Sequence, residues 1–195
     1  GKPAPQFASD EVTGSISVPI AAPPETRPTR GAVLAEHTKQ TVFSANTALD
    51  SIMDVIRLEK IKNEKGYRDF ASKKSQFELL KDKTESNSVI DVSTFVADDG
   101  KVLNFSRSYP PQDINLADRD YFKYLSTNDD PSTFYSVPVR NKGNGKWVFY
   151  LARRVNGEDS KFLGVVLVGV SVEVFSGLYE KVGKNLGDGT AITLY

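Results

Sequence analysis

The chain contains no cysteine and a single histidine, His37, and both features restrict the chemistry available to it. Without cysteine there are no disulfides, thiolate nucleophiles, iron–sulfur clusters or cysteine-bound zinc sites. A histidine-based metal site or a serine–histidine–aspartate triad would depend on His37 alone, and no second ligand lies at a suitable spacing from it. We therefore expect no metal, no cofactor and no catalytic residue, so the chain is not predicted to be an enzyme.

Long apolar runs and an excess of charge of either sign are also missing. The longest apolar run, residues 162–172, is shorter than the roughly 18–20 residues that span a bilayer, and the first residues do not read as a secretory signal. Lysine and arginine number 25, as do aspartate and glutamate, so the formal net charge is zero. A neutral chain provides no general attraction for nucleic acid, and we expect no such partner.

The composition is that of an ordinary globular domain, with 39% hydrophobic and 26% charged residues among 195. Six of the ten prolines lie in residues 1–30. Because proline lacks a backbone N–H and fixes φ, this density disfavours helix and central strand. We predict an extended proline-rich arm over residues 1–30.

A helical period follows the proline-rich arm. Apolar residues recur at spacings of three and four: Val33, Leu34, Val42, Phe43, Leu49, Ile52, Met53 and Ile56. Neither proline nor glycine interrupts residues 32–65, and Gly66 is a natural end. This pattern predicts one long helix over residues 31–65, of a length typical of a stalk or dimer helix. A second, shorter helix is predicted over residues 67–81.

Beyond residue 87 the period changes to two and β-branched residues dominate, which predicts strands. The predicted strands are residues 89–97, 102–107, 134–140, 147–155 and 162–172, and short helices are predicted over 116–126 and 173–182. Asp98-Asp99-Gly100 and the segment 141–145 are hairpin turns. The fold class predicted is α+β: a long N-terminal helix and a PAS-like, five-stranded antiparallel sheet flanked by helices.

Two segments combine charge with aromatic side chains. The first, residues 117–122, is predicted to begin a short helix. Asp118 can cap that helix while Tyr121 packs on the sheet. Alternatively, the guanidinium group of Arg119 binds an anionic or polar ligand, and Asp120 orients Arg119. Residue chemistry alone leaves both interpretations open.

The second segment is the predicted strand 147–155. Alternation places Trp147 and Arg153 on one face of this strand and Tyr150 and Arg154 on the other. Each face joins aromatic side chains to one arginine, and an arginine on a core face needs an acid or a ligand. The alternative is that one arginine extends to solvent and the other forms a structural ion pair.

These segments resemble the double Cache family, also called PDC sensor domains. The resemblance rests on Leu116-Ala-Asp-Arg-Asp-Tyr-Phe122, on Lys146-Trp-Val-Phe-Tyr-Leu-Ala-Arg-Arg154, and on Phe162-Leu-Gly-Val-Val166 followed by Val174-Phe175. It covers residues 30–195. Members form the extracytoplasmic sensing parts of bacterial transmembrane histidine kinases, diguanylate cyclases and chemoreceptors. The resemblance implies that residues 31–65 are a signalling helix, 66–190 a membrane-distal sensor module, and 191–195 the start of a truncated following module.

The family binds small molecules between the sheet and the helix and loop that precede the second hairpin. The resemblance therefore implies a ligand-binding site made of Arg119, Asp120, Tyr121, Tyr135, Trp147, Tyr150 and Arg153. The amino-acid-binding branch carries an aspartate in the last core strand, where this chain has Gly169. A carboxylate or another small polar molecule is thus the expected ligand, and the alternative is a structural or protein-interaction module without one.

The resemblance also implies a setting for the domain. It would lie on the periplasmic or extracellular face of the inner membrane, as part of a membrane-anchored receptor in a two-component or related signalling system. The full-length receptor would form a homodimer through the long helix, and ligand binding would shift that helix. An intact receptor can carry a cytoplasmic kinase or diguanylate cyclase domain.

Overall fold

The computed structural model describes residues 30–173, with side chains described from residue 36 onwards. The predicted proline-rich arm lies outside the described residues except for Arg30. Residues 191–195, the predicted start of a following module, also lie outside them, as does the predicted helix 173–182 beyond Glu173. None of the helices within residues 30–173 is both long and apolar enough to cross a bilayer.

The long helix is present as α1 (Arg30–Glu59). Its later turns pack on the sheet through five buried side chains, Ala45, Leu49, Ile52, Met53 and Ile56. The predicted end at Gly66 is wrong, because α1 stops at Glu59 and Lys60 takes a left-handed backbone conformation with φ of 51°. That conformation is incompatible with a continuing right-handed helix.

The predicted second helix is divided in two, α2 (Glu64–Ala71) and α3 (Lys74–Glu85). The Asn63 side chain caps α2 by accepting a hydrogen bond from the Gly66 amide at 2.9 Å, so Gly66 lies inside a helix. At the break, buried Asn104 donates to the carbonyl oxygens of Ala71 and Lys73 at 3.0 and 2.9 Å. A strand side chain thus satisfies the carbonyl groups that the interrupted helix leaves without partners.

The sheet is antiparallel and contains six strands in the described residues. These are β1 (Val92–Ala97), β2 (Val102–Phe105), β3 (Phe134–Tyr135), β4 (Val139–Arg140), β5 (Trp147–Asn156) and β6 (Phe162–Ser171), with α4 (Asp120–Thr127) between β2 and β3. The order is β2-β1-β6-β5-β3, and β4 also pairs with β5. The α+β, PAS-like fold predicted from the sequence is therefore confirmed.

The sixth strand arises because the predicted strand 134–140 is interrupted. The Ser136 amide still donates to the Tyr150 carbonyl at 2.9 Å, but the Val137 amide donates to the Asp120 carboxylate at 3.2 Å. Pro138 has no N–H to donate. The ladder to β5 therefore breaks between β3 and β4.

The central strand β6 separates two apolar layers, because it is hydrogen-bonded to β1 and β5 and buried on both sides. We call the side covered by α1, α2 and α3 the helix face; Phe149 and Val168 lie on it. The other side, the α4 face, carries Tyr150 and Leu167 beneath α4. Successive residues of one strand thus contact different layers.

Gly164 in β6 allows α2 to approach the sheet. The Tyr67 ring of α2 is fully buried, and its hydroxyl lies 3.4 Å from the Val165 carbonyl oxygen. Gly164 has a φ of 153°, and a Cβ there would lie 2.7 Å from the Tyr67 ring and would overlap the Val96 carbonyl oxygen. No L-residue with a side chain fits this position without a backbone shift.

Two glycine substitutions are expected to have opposite effects. Gly164→Ala should lower the free energy of unfolding by at least about 2 kcal/mol, since overpacking and backbone strain add. Gly66→Ala should raise it by about 0.5–1 kcal/mol, because Gly66 is helical and its nearest contact would be an ordinary 3.4 Å. Urea unfolding followed by circular dichroism measures both changes. Equal stabilities for the two variants would contradict the packing described for Gly164.

Candidate functional site

Helix α4 brings the first predicted site segment onto the α4 face. Three side chains, Tyr121, Phe122 and Leu125, are buried against the sheet. The predicted start at residue 116 and the alternative of a cap by Asp118 are wrong. Arg119 stands at the cap position without a side-chain cap, and Asp118 instead pairs with Lys142 at 2.8 Å. The helix is therefore held by burial of its apolar side chains, without a cap from Asp118.

Asp120 ties the start of α4 to the connection between β3 and β4. Its carboxylate accepts hydrogen bonds from the amides of Tyr121 at 2.7 Å and Val137 at 3.2 Å. Burial raises the pKa of Asp120, while these amides and the Arg119 charge oppose the shift. Both carboxylate oxygens are thus bonded to backbone amides, and Asp120 joins α4 to the connection between β3 and β4.

Arg119 and Tyr121 carry polar atoms that the fold leaves without partners. The Arg119 guanidinium donates from Nη2 to the Arg140 carbonyl oxygen at 2.7 Å. Its Nε is buried and has no hydrogen-bond partner among the described residues, and the same holds for the hydroxyl of Tyr121, a fully buried residue. Burial raises the pKa of Tyr121 well above its usual value, and the Arg119 charge opposes this shift.

Tyr150 lies next to Tyr121, with ring centroids 5.5 Å apart. Its hydroxyl accepts a hydrogen bond from Asn141 Nδ2 at 2.5 Å. Burial raises the pKa of Tyr150 to about 12, although the charges of Arg107 and Arg119 lower it. The phenol is therefore neutral at physiological pH and can both accept and donate a hydrogen bond.

Three residues that the sequence did not single out complete this network. The Arg107 guanidinium donates to Asn141 Oδ1 at 3.1 Å and to the Asp91 carboxylate at 2.5 Å. Asn141 was predicted only as a turn residue, and Asp91 and Arg107 lie at the ends of β1 and β2. Their one sequence signal is a charge at the end of an apolar strand, which is common at surfaces.

A small cavity of about 20 Å³ lies beside Tyr150, with Arg107, Asn141, Thr94 and Leu167 among its walls. A water molecule needs roughly 10–15 Å³ of such space. The α4 face is thus nearly closed by its own side chains, and a larger molecule enters only if part of this wall moves.

The predicted site is divided by the sheet. Arg119, Asp120, Tyr121 and Tyr150 come together on the α4 face, but Tyr135 and Arg153 contact α1 on the helix face. The Tyr135 hydroxyl accepts from Asn46 Nδ2 at 2.6 Å, and Arg153 donates to the Asp50 carboxylate at 2.6 Å.

Trp147 is separate from both groups, because it is 50% exposed and the Arg140 guanidinium lies 5.1 Å from its ring centroid. The prediction of a single site made of all seven residues is therefore not supported for Tyr135, Trp147 and Arg153. The physical reason is the alternation of side chains along β5 and β3.

Gly169 is required by the packing of Tyr150. The two residues are paired across β6 and β5, and a Cβ at Gly169 would lie 3.0 Å from the Tyr150 ring and 2.8 Å from a Val92 methyl group. The tyrosine ring thus occupies the space that a longer side chain would need.

Within residues 30–173, no group of three histidine, aspartate or glutamate residues is arranged to hold a metal ion.

Among known proteins, the chain is similar to solved structures, but not to a family model or a curated sequence. No protein-family model matches the chain, and no curated protein sequence matches it. Among solved structures, the chain is similar to the extracellular domain of rpHK1S-Z16, a protein assigned as a histidine kinase. The two are 27% identical with a TM-score of 0.64, over 76% of this chain and 57% of that one.

Two further structures are more distant. The sensor domain of the V. cholerae histidine kinase DctB is 16% identical with a TM-score of 0.47, over 76% of this chain and 60% of that one. The ligand-binding domain of the Pseudomonas aeruginosa amino-acid chemoreceptor PctC, in complex with GABA, is 13% identical with a TM-score of 0.47, over 74% and 65%. The chain spans less than two thirds of each of these structures. The likeness to rpHK1S-Z16 confirms the predicted sensor-domain fold.

The two buried tyrosines of the α4 face are expected to respond differently to loss of their hydroxyl. Tyr150→Phe leaves Asn141 Nδ2 without its acceptor and should lower the free energy of unfolding by about 1–3 kcal/mol. Tyr121→Phe removes a hydroxyl without a partner and should leave stability unchanged or raise it by up to about 1 kcal/mol. Urea unfolding of both variants tests this difference. A loss in Tyr121→Phe as large as in Tyr150→Phe would show that the Tyr121 hydroxyl is bonded in the free protein.

Proposed function

We propose that this chain is the extracytoplasmic ligand-sensing domain of a transmembrane signalling receptor. In this proposal a small polar or carboxylate ligand binds on the α4 face, at Arg119, Tyr121 and Tyr150. The observation that carries the proposal is the pair of buried donors without partners, Arg119 Nε and the Tyr121 hydroxyl. Such groups are rare in folded proteins and cost about 1–3 kcal/mol each, so they suggest a partner that the fold does not supply.

A carboxylate fits this pair of donors. Its two oxygens can accept from the Arg119 guanidinium and from the Tyr121 hydroxyl, and bonds between ionised partners are the stronger kind. The neighbouring Tyr150 hydroxyl supplies a further donor or acceptor. Asp120 is engaged by backbone amides and so holds the site in place without contacting the ligand. The role proposed is binding, and no reaction is assigned to the domain.

Binding requires a rearrangement, because the cavity beside Tyr150 is about 20 Å³ and is not lined by Arg119 or Tyr121. In this proposal the wall that moves is the segment from Val137 to Asn141, which includes β4. This segment contacts α4 through hydrogen bonds to Asp120 and Arg119. A ligand that fits only the open arrangement stabilises it by its difference in affinity for the two states.

The residues just before this segment contact α1, so a movement of the segment can be transmitted to that helix. The Tyr135 hydroxyl accepts a hydrogen bond from Asn46 of α1, and Thr133 donates to Asn46 Oδ1 at 2.8 Å. Arg153 of β5 makes the second link, to Asp50 one helical turn further along α1. A displacement of β3 on the ligand side would therefore move α1, the predicted signalling helix. Tyr135 and Arg153 then transmit the signal rather than contact the ligand.

The proposed setting is the periplasmic or extracellular face of the inner membrane, in a membrane-anchored receptor that dimerises through the long helix. Two large apolar side chains of α1, Phe43 and Leu58, are 74% and 82% exposed and so are available for such a helix contact. The remaining alternative is a structural or protein-interaction module without a ligand. The small size of the cavity is the observation that favours it.

A thermal-shift screen with carboxylic acids, amino acids and amines tests the ligand-binding proposal. A ligand at one hundred times its Kd should stabilise the folded state by about 2.7 kcal/mol, and so raise the melting temperature by several degrees. Arg119→Ala should abolish this shift. Arg68→Ala is the matched control, since Arg68 pairs with Asp98 on the opposite side of the sheet.

The result is decisive in either direction. A shift for carboxylic acids that Arg119→Ala removes and Arg68→Ala retains supports the proposal. If no compound stabilises the parent protein, the module without a ligand is favoured. If a compound stabilises the parent and Arg119→Ala equally, the assigned position is wrong.

A further inference from the structure

A second cavity, larger than the one beside Tyr150, lies on the helix face. Its volume is about 290 Å³, and it lies where the end of α1 passes β5 and the segment that follows α4. Ligand pockets for drug-sized molecules start at roughly 300 Å³. The space therefore suits a small molecule of a few heavy atoms, and it is lined by none of the residues assigned to the α4-face site.

The walls of this cavity combine apolar side chains with positive charge. The apolar part is formed by Met53, Ile56, Ile61, Pro131 and Val155. The charged lining residues are four cations, Arg57, Lys60, Arg153 and Arg154, and one acid, Asp130.

The acids nearby are already engaged. Asp130 accepts from the Tyr124 hydroxyl at 2.9 Å and from Ser132, and these bonds lower its pKa despite its partial burial. Asp54 pairs with Arg57 at 2.7 Å.

Asp129 lies 3.7 Å from Arg154, and Asp50 pairs with Arg153. A preference for an anion therefore depends on Lys60 and on the donors that Arg153 has not used.

Arg153 is the side chain with the capacity to hold that anion. It is 14% exposed and donates a single hydrogen bond in the described residues, from Nη1 to Asp50. A guanidinium has five N–H donors, so most of its capacity is unused. The Asp50 carboxylate is 59% exposed and can turn into solvent.

Arg154 differs from Arg153 in this respect. Its guanidinium already donates to the carbonyl oxygens of Leu125 and Ser160 and to Asn156. Its charge contributes to the cavity, but each of its three nitrogens already donates a hydrogen bond, whereas Arg153 donates from one nitrogen. Arg153 is therefore the residue in these walls that is both largely buried and free to bind.

We propose that this cavity is a second binding site, separate from the α4-face site, for a small organic acid. The carboxylate lies against the Arg153 guanidinium, and the apolar body of the acid packs on Met53, Ile56 and Val155. Lys60, at the rim, adds a positive charge. Because Arg153 also contacts Asp50, an acid bound here changes the link between β5 and α1.

Isothermal titration calorimetry with butyrate tests the proposal on the whole chain. Succinate and inorganic phosphate are compared with butyrate, since a dianion with a polar body and an anion without an apolar body should bind more weakly. Arg153→Met should weaken butyrate binding by about tenfold or more, because a charge-assisted hydrogen bond is lost.

A second variant covers the case in which Arg153→Met does not fold. Lys60→Glu changes an exposed residue and should weaken binding by about threefold. Lys101→Glu, an exposed lysine in the turn between β1 and β2, is the matched control and should bind butyrate like the parent.

Arg119→Ala distinguishes this site from the α4-face site. Butyrate binding that Arg119→Ala retains and Arg153→Met loses supports the second site. Binding that Arg119→Ala loses and Arg153→Met retains overturns it and leaves the α4-face proposal intact. Absence of butyrate binding, or binding unchanged in both Arg153→Met and Lys60→Glu, also overturns it.

Discussion

The burial of β6 on both faces is the constraint on which the rest of the structure depends. This strand is hydrogen-bonded to β1 and β5, so its side chains must be covered above and below the sheet. Helices α1, α2 and α3 cover one face, and α4 covers the other. A domain built in this way has two chemically distinct sides, and a strand beside β6 presents residues to both.

The chemistry of the domain follows from this two-sided arrangement. On β5, Tyr150 belongs to the network beneath α4, whereas Arg153 reaches α1. Tyr135 of β3 accepts a hydrogen bond from Asn46 of α1. The next residue, Ser136, accepts one from the Tyr150 amide at 2.7 Å. A displacement on one face therefore reaches the other within one or two residues of backbone. In the proposed function, a ligand on the α4 face would therefore not need to contact α1 in order to affect it.

Local patterns in the sequence were sufficient for the architecture and for part of the site. The three- and four-residue spacing predicted α1, and the turn at Asp98-Asp99-Gly100 predicted the β1–β2 hairpin. The end of α1 was not predictable, because it depends on the left-handed backbone of Lys60. The break between α2 and α3 was not predictable either, because it depends on Asn104, which binds there from a distant strand. Asp91, Arg107 and Asn141 were missed because only strand pairing brings them together.

NMR of the arginine Nε–H groups tests most directly whether a small acid binds at Arg119. The Arg119 signal, assigned by its loss in Arg119→Lys, should move when an acid that stabilises the protein is added, because its Nε–H gains an acceptor. The Arg68 signal should stay in place, since Arg68 of α2 lies on the opposite side of the sheet and pairs there with Asp98. A stabilising acid that leaves the Arg119 signal unmoved at saturation would contradict ligand binding on the α4 face.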